Sequence, residues 1–355
     1  MLITEVFKAK KIANVATEVA SNKIPYLGVG LFPPKKKMGL DLSWFKNSKG
    51  LPVSLKASAF DTVSTLRSRE GIKIEETEMA FFKESMLVKE KDEQEIMRVV
   101  DSNDPYAKQI IEKLYSDANT LVEGAEVVPE RMIWQLLAPQ TNGKPSISIA
   151  SDNATYYYDY DPDNSWVATN YLALTGNDVW SDTNDSDPLD DIKTMCDDIE
   201  NRTGTRPTRI VMSAQTMSYL EKNDKIKSAI LAQNTTANVF MNAERVKGVF
   251  SSELDLKVSV YTKKYKNEAG VTASFYPDGY VTLLPDGALG NTWYGVTPEE
   301  RSLMGDPTAE VALVNDRIAV TVTRTSDPVQ TKTTVSEVVL PSYEQMDFVG
   351  VIKVY

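Results

Sequence analysis

The chain has 355 residues, 42% hydrophobic and 25% charged, with 39 Lys and Arg against 50 Asp and Glu for a formal net charge of −11. That length points to about two lobes, and no apolar run approaches the ~20 residues of a membrane helix. Histidine is absent and Cys196 is the single cysteine, which removes imidazole acid–base catalysis, Ser–His and Cys–His nucleophiles, imidazole metal sites, intrachain disulfides and thiolate clusters.

The opening residues, MLITEVFKAKKIANVATEVA, mix Lys8, Lys10 and Lys11 with Glu5 and Glu18. They lack the apolar stretch of a secretory signal, so a cytosol-like compartment is expected. Residues 1–56 carry ten lysines against Glu5, Glu18 and Asp41, a formal +7, which leaves −18 on the remaining 299 residues. An acidic body argues against nucleic-acid binding, which needs a basic face. A basic arm on such a body fits either contact with a neighbouring copy or a solvated tail.

Residues 23–37, KIPYLGVGLFPPKKK, hold three prolines and two glycines among apolar side chains. The segment can neither propagate a helix nor pack as a core strand, so an extended arm is expected. Its Tyr26, Leu27, Val29, Leu31 and Phe32 need a surface to bury against. Next, Leu40, Leu42 and Trp44 alternate with Asp41 and Ser43, the period of a strand with one apolar face. Asn47–Gly50 (NSKG) is turn chemistry. Val53 and Leu55, then Ile72 and Ile74, resume the alternation around a polar stretch with Arg67 and Arg69. Residues 38–78 therefore read as a long two-stranded ribbon, marginal alone and in need of a partner surface.

Asp104–Pro105 is an N-cap followed by proline at the first helical position. Ile110, Ile111, Leu114, Ala118, Leu121 and Val122 then share a helical face. Gly124 and Pro129 are expected to bend or break this helix before Met132, Trp134, Leu136 and Leu137, and Pro139 stops it. Ser146–Tyr160 reads as strand, followed by an acidic loop. Asp187–Pro188 opens a helix with Leu189, Ile192, Met195, Cys196 and Ile199 inward and Gly204 as C-terminal cap. Thr208–Met212 is a buried strand, Ser213 caps a short helix, and 256–261 and 273–284 are strands. An α+β lobe over 176–314 follows, and the C-terminal stretch is strand-rich.

Candidate sites fare poorly. Asp159, Asp161 and Asp163 match the start of a calcium loop, but Asn164 stands at the turn glycine and Asn170 at the bidentate glutamate. A solvated acidic loop is the preferred reading. Gly287, Gly290 and Gly295 do not form a phosphate loop, because Pro285–Asp286–Gly287 is turn chemistry. Tyr156, Tyr157, Tyr158 and Tyr160 fit a strand better than a stacking platform. Cys196 sits in an apolar helical pattern and reads as a structural thiol. No acid pair stands out from chance among so many carboxylates. No catalytic, cofactor or metal residue is expected.

The segments 31–85, WSDTNDSDPLDDI (180–192), VMSAQTM (211–217) and LLPDGALGNTWYGVTPEE (283–300) resemble the lambda-type major head proteins of tailed bacteriophages, and the likeness runs over nearly the whole chain. The resemblance implies the tailed-phage capsid fold, of α+β class. It places an N-terminal arm at 1–37, an E-loop hairpin at 38–78, a peripheral domain with its spine helix at 79–170 and an axial domain at 171–314. Residues 315–355 then complete the peripheral domain. The implied function is a non-enzymatic major capsid protein, assembling as hexamers and pentamers into the head around the genome. Leu31, Phe32, Lys35, Lys36, Lys37, Leu40, Leu42 and Trp44 are the candidate inter-subunit contacts. No charged helical segment precedes the arm, so a separate scaffolding protein is implied. A portal at one vertex and a decoration protein are further candidate partners. The DNA is enclosed without specific binding and no membrane is involved. Location is the virion, with assembly in the host cytoplasm. Lys46, Lys49 and Lys56 lie in the ribbon, and non-covalent locking is expected over lysine–asparagine bonds. The alternatives are a compartment enclosing an enzyme cargo, which shares the fold, and an acid-pair carbohydrate hydrolase.

Overall fold

The computed structural model describes residues 8–21, 26–45, 74–94, 105–151, 154–231, 241–305 and 309–355. The first part holds helices α1 (Ala9–Ser21) and α2 (Leu27–Leu31) and strands β1 (Pro34–Lys36), β2 (Asp41–Phe45), β3 (Ile74–Glu78) and β4 (Ala80–Val88). Long helix α3 (Pro105–Leu137) leads to the hairpin β5 (Ser146–Ala150) and β6 (Thr155–Asp159), the turn α4 (Val167–Asn170) and β7 (Tyr171–Ala173). Then come α5 (Pro188–Thr203), β8 (Arg209–Met212), α6 (Ala214–Lys222), α7 (Asp224–Leu231), α8 (Ala243–Leu254) and β9 (Lys257–Val260). Strands β10 (Lys264–Lys266), β11 (Thr272–Ser274), β12 (Tyr280–Leu284) and β13 (Asn291–Tyr294) precede α9 (Pro298–Leu303). Strands β14 (Ala309–Val314), β15 (Ile318–Ser326), β16 (Val329–Ser342) and β17 (Gly350–Lys353) close the chain.

The chain divides into two units, one of Met1–Ser43, Glu76–Met132 and Asn291–Ser342, the other of Trp44–Glu75, Ile133–Gly290 and Tyr343–Tyr355. The first is built on a six-stranded sheet in the order β1-β13-β16-β15-β14, with β4 also paired to β16. Strand β16 can serve as its centre because Val335, Val338, Val339 and Leu340 suit a two-sided buried strand. Ala9, Ile12 and Ala13 of α1 and Ala118, Leu121 and Val122 of α3 pack with Val320, Val322 and Val335 of the sheet. The i, i+3, i+4 spacing on both helices produces that apolar stripe.

The second unit centres on a mixed five-stranded sheet in the order β7-β17-β12-β8-β9. Its core joins Ile192, Met195, Cys196 and Ile199 of α5 to Met217 and Leu220 of α6, Val246 and Phe250 of α8, and Ile210, Val281 and Ile352 of the sheet. The helix ends follow the sequence signals. Asp187 accepts from the Asp190 N–H at 3.3 Å, and Gly204 closes α5 at φ 71°. Ser213 Oγ accepts from the Thr216 N–H at 3.2 Å. At Gly350 a Cβ would lie 2.7 Å from Ile199 Cδ1, so α5 approaches β17 only because that position is glycine.

Three expectations are corrected. Helix α3 runs unbroken through Pro129. The lost N–H and the ring clash normally kink a helix, but Met132, Ile133, Trp134, Leu136 and Leu137 just beyond are all fully buried and hold the backbone in line. The C-terminal residues do not all complete one sheet: β17 lies between β7 and β12 in the second unit, while β13, expected in the axial lobe, pairs with β1 and β16 in the first. The arm is not extended throughout, since 27–31 form a helical turn and 34–36 a strand. Asp104, the 47–50 turn, Val53, Leu55, Arg67, Arg69, Ile72 and Lys46, Lys49 and Lys56 lie outside the described residues.

Candidate assembly surfaces

The arm docks on its own unit through backbone geometry. The two prolines of 33–34 cannot donate, yet β1 needs only one partner and sits at the sheet edge, parallel to β13 with Lys35 opposite Trp293. The Thr292 N–H donates to the Pro33 carbonyl at 3.0 Å, and Thr292 Oγ1 donates to the Phe32 carbonyl at 3.0 Å. Upstream, the Gly28 N–H donates to Glu130 Oε1 on α3 at 3.2 Å. The Tyr26 hydroxyl is pushed up to about 12, first by burial and then by Glu126, Glu130 and Glu123. Leu31 and Phe32, at 2% and 0% exposure, are therefore core residues of the chain that carries them.

The three lysines stand differently. Lys35 Nζ lies 5.5 Å from the centre of the Trp293 ring, a cation–π contact. Lys36 Nζ pairs with Glu300 at 2.6 Å, and the Lys37 N–H donates to the Tyr294 carbonyl at 2.8 Å. Lys35 and Lys36 remain exposed.

At the base of the ribbon the alternation holds, but its apolar face turns inward. Leu42 is 1% exposed and Trp44 8%, with the Trp44 ring 5.5 Å from that of Tyr160. These two contact candidates are thus also buried within the chain. Met38 and Leu40 are not: they stand 83% and 42% exposed. Further exposed apolar side chains, missed in the sequence, lie on the first unit's sheet: Met86 and Leu87, on opposite faces of β4, and Val329 of β16. Strand β4 pairs with β16 from Ala80–Val339 to Val88–Thr331, and among the described residues no strand covers its other edge.

The polar clusters answer the chemical candidates. Lys144 pairs with Asp159 at 2.9 Å, Asp159 accepts from the Asp161 N–H, and Asp161 accepts from the Trp166 and Val167 N–H groups at 3.0 Å each. The loop that resembled the start of a calcium site is thus a self-satisfied cap on α4. Arg209 donates to the carbonyls of Pro285 and Gly287, which fixes the 285–287 turn. Burial pushes the Cys196 thiol up to about 11, away from nucleophilic thiolate. Tyr156 and Tyr158 stack at 6.4 Å beside Ile147 and Ile149 on one face of the β5–β6 hairpin. Burial opposes ionisation of Glu299, but Lys83, its own backbone N–H and Ser336 outweigh that and hold its carboxyl below the usual range. It lies 2.5 Å from Lys83 Nζ.

Two solved structures share this arrangement. A phage-related protein from Bordetella bronchiseptica matches at 16% identity and TM-score 0.53, over 96% of each chain. A protein assigned as a prophage capsid protein of Escherichia coli CFT073 matches at 13% identity and TM-score 0.56, over 98% of this chain and 99% of that one. At such identities the likeness is one of fold, and the fold is that of tailed-phage capsid subunits. No curated protein matches the chain. The family model described as phage major capsid protein E matches residues 11–349, and the chain belongs to that family. It is a structural protein of the phage head, and among the described residues no helix is long and apolar enough to cross a membrane.

Proposed function

We propose that the chain builds an icosahedral shell as hexamers and pentamers, with the first unit serving as arm and peripheral domain and the second as axial domain. The observation that carries this reading is the exposure, on one unit, of the apolar side chains Met38, Leu40, Met86, Leu87 and Val329. A separate scaffolding protein, a portal at one vertex and, on some heads, a decoration protein complete the assembly, which takes place in the host cytoplasm. The shell encloses DNA without specific binding, because its acidic body lacks the clustered cations that phosphate neutralisation requires.

Apolar contacts dominate this assembly. Exposed ion pairs contribute about 0–1 kcal/mol each and weaken with salt. A permanent interface burying ~2,000 Å², about half of it apolar, gains on the order of 25 kcal/mol before association costs. Leu40 on the ribbon base is the anchor, and Lys35, Lys36 and Lys37 guide docking. Leu40→Glu should block shell formation while leaving a folded subunit. Replacing the three lysines by Gln should mainly slow assembly and flatten its salt dependence. Light scattering with scaffold present measures both. A lysine variant that never assembles beside a Leu40→Glu variant that assembles normally reverses the assignment of forces, and sedimentation showing monomer at every concentration overturns the shell reading itself.

A further inference from the structure

Strand β16 carries an acid where its alternation calls for a hydrophobe. Val335, Glu337 and Val339 share one face, and Val335 packs in the core formed with Ala118, Leu121 and Val122 of α3. Glu337 is 1% exposed, and neither of its carboxyl oxygens has a hydrogen-bond partner among the described residues. Its cross-strand neighbour on β4 is Phe82, which offers no polar group. Among the described residues, the charged and titratable groups that act on it are Arg317 from the turn before β15, Tyr294 from β13, and Glu126 from α3. Arg317 is already engaged with Tyr294, donating Nη1 to the hydroxyl at 3.4 Å with its guanidinium 5.2 Å from the ring centre. Among the described residues no cation reaches ion-pairing distance of Glu337.

An ionised carboxylate in such a place needs either a paired cation or several donors, and an isolated buried charge takes up a proton instead. We infer that Glu337 is a built-in proton site of the first unit, a neutral carboxylic acid lodged between the central strand and the spine helix, whose ionisation loosens that unit. Burial drives its carboxyl well above the usual range, Arg317 opposes that and Glu126 adds to it.

The sign follows from linkage. The folded state holds the proton more tightly than the unfolded chain, so this group's contribution is most favourable below the ordinary glutamate range. It declines as pH rises from there towards the folded value, and is level above it. Removing the titration should therefore help the protein increasingly as pH rises.

The test compares thermal unfolding of the full chain and Glu337→Gln between about pH 5 and about pH 8. The two should melt within a degree or two of each other at the acid end, and the variant about 5 °C or more higher at the alkaline end. Other titrating groups cancel in the difference. Parallel profiles, or a variant less stable throughout because it lost an ion pair with Arg317, overturn the inference. Infrared spectra of the wild-type chain give a reading that does not depend on the variant folding: the carbonyl band of a protonated carboxylic acid should persist at neutral pH. Absence of that band equally overturns the inference.

Discussion

Phe32→Ala should lower the stability of the unassembled subunit by about 3–5 kcal/mol, the range for truncating a buried aromatic side chain. Phe32 is completely buried, its carbonyl accepts from Thr292 Oγ1, and its N–H donates to the Gly28 carbonyl. Loss of the ring opens a cavity directly under the arm, and the backbone bonds that join β1 to β13 lose their packing support. Urea unfolding of the monomer, followed by hydrogen exchange at Thr292–Tyr294, measures the effect. An unchanged monomer with defective assembly would show that the ring serves a neighbouring copy after all.

Trp134→Ala should cost a similar ~3–5 kcal/mol, but in the other unit. The Trp134 ring lies 4.8 Å from Tyr261 and meets Tyr276 edge-on at 5.3 Å. The Tyr276 hydroxyl donates to the Val211 carbonyl at 3.1 Å and lies 2.9 Å from Thr282 Oγ1, which in turn donates to the Leu137 carbonyl at 2.7 Å. That chain of contacts satisfies the C-terminal end of α3, so the indole supports a buried polar network as well as filling volume. Trp134→Phe should keep most of the stability. Because Phe32 and Trp134 belong to different units, the two alanine variants should displace different parts of the unfolding profile, and a common shift would show that the units unfold as one.

What the sequence made legible follows locality. Asp187, Pro188, Gly204 and Ser213 act within one helical turn of themselves, and the structure places caps where they stand. The ribbon's alternation over Leu40, Leu42 and Trp44 is equally local, and β2 follows it. Which surface meets the apolar face is a long-range matter, so alternation alone could not name Tyr160 as the ring beside Trp44. The partner of Phe32 within the chain is equally remote, since Thr292 is 260 residues away. Pro129 was overweighted because a breaker's effect depends on packing that lies outside the helix. Glu337 could have been found: an acid in phase with Val335 and Val339 in a strand marks a buried carboxyl.

The parallel pairing of β1 with β13 also bears on how the protein is made. The 260-residue separation between Phe32 and Thr292 means that the arm leaves the ribosome long before its binding surface exists. At roughly 5–20 residues per second, about ten to fifty seconds pass between the two. During that interval Leu31 and Phe32 have no sheet to bury against. The second unit is in a similar position, because β17, which lies between β7 and β12, is synthesised after every other strand of its sheet. Until these later strands emerge, the nascent chain carries two incomplete sheets and an unburied apolar arm, the features on which a holding chaperone acts.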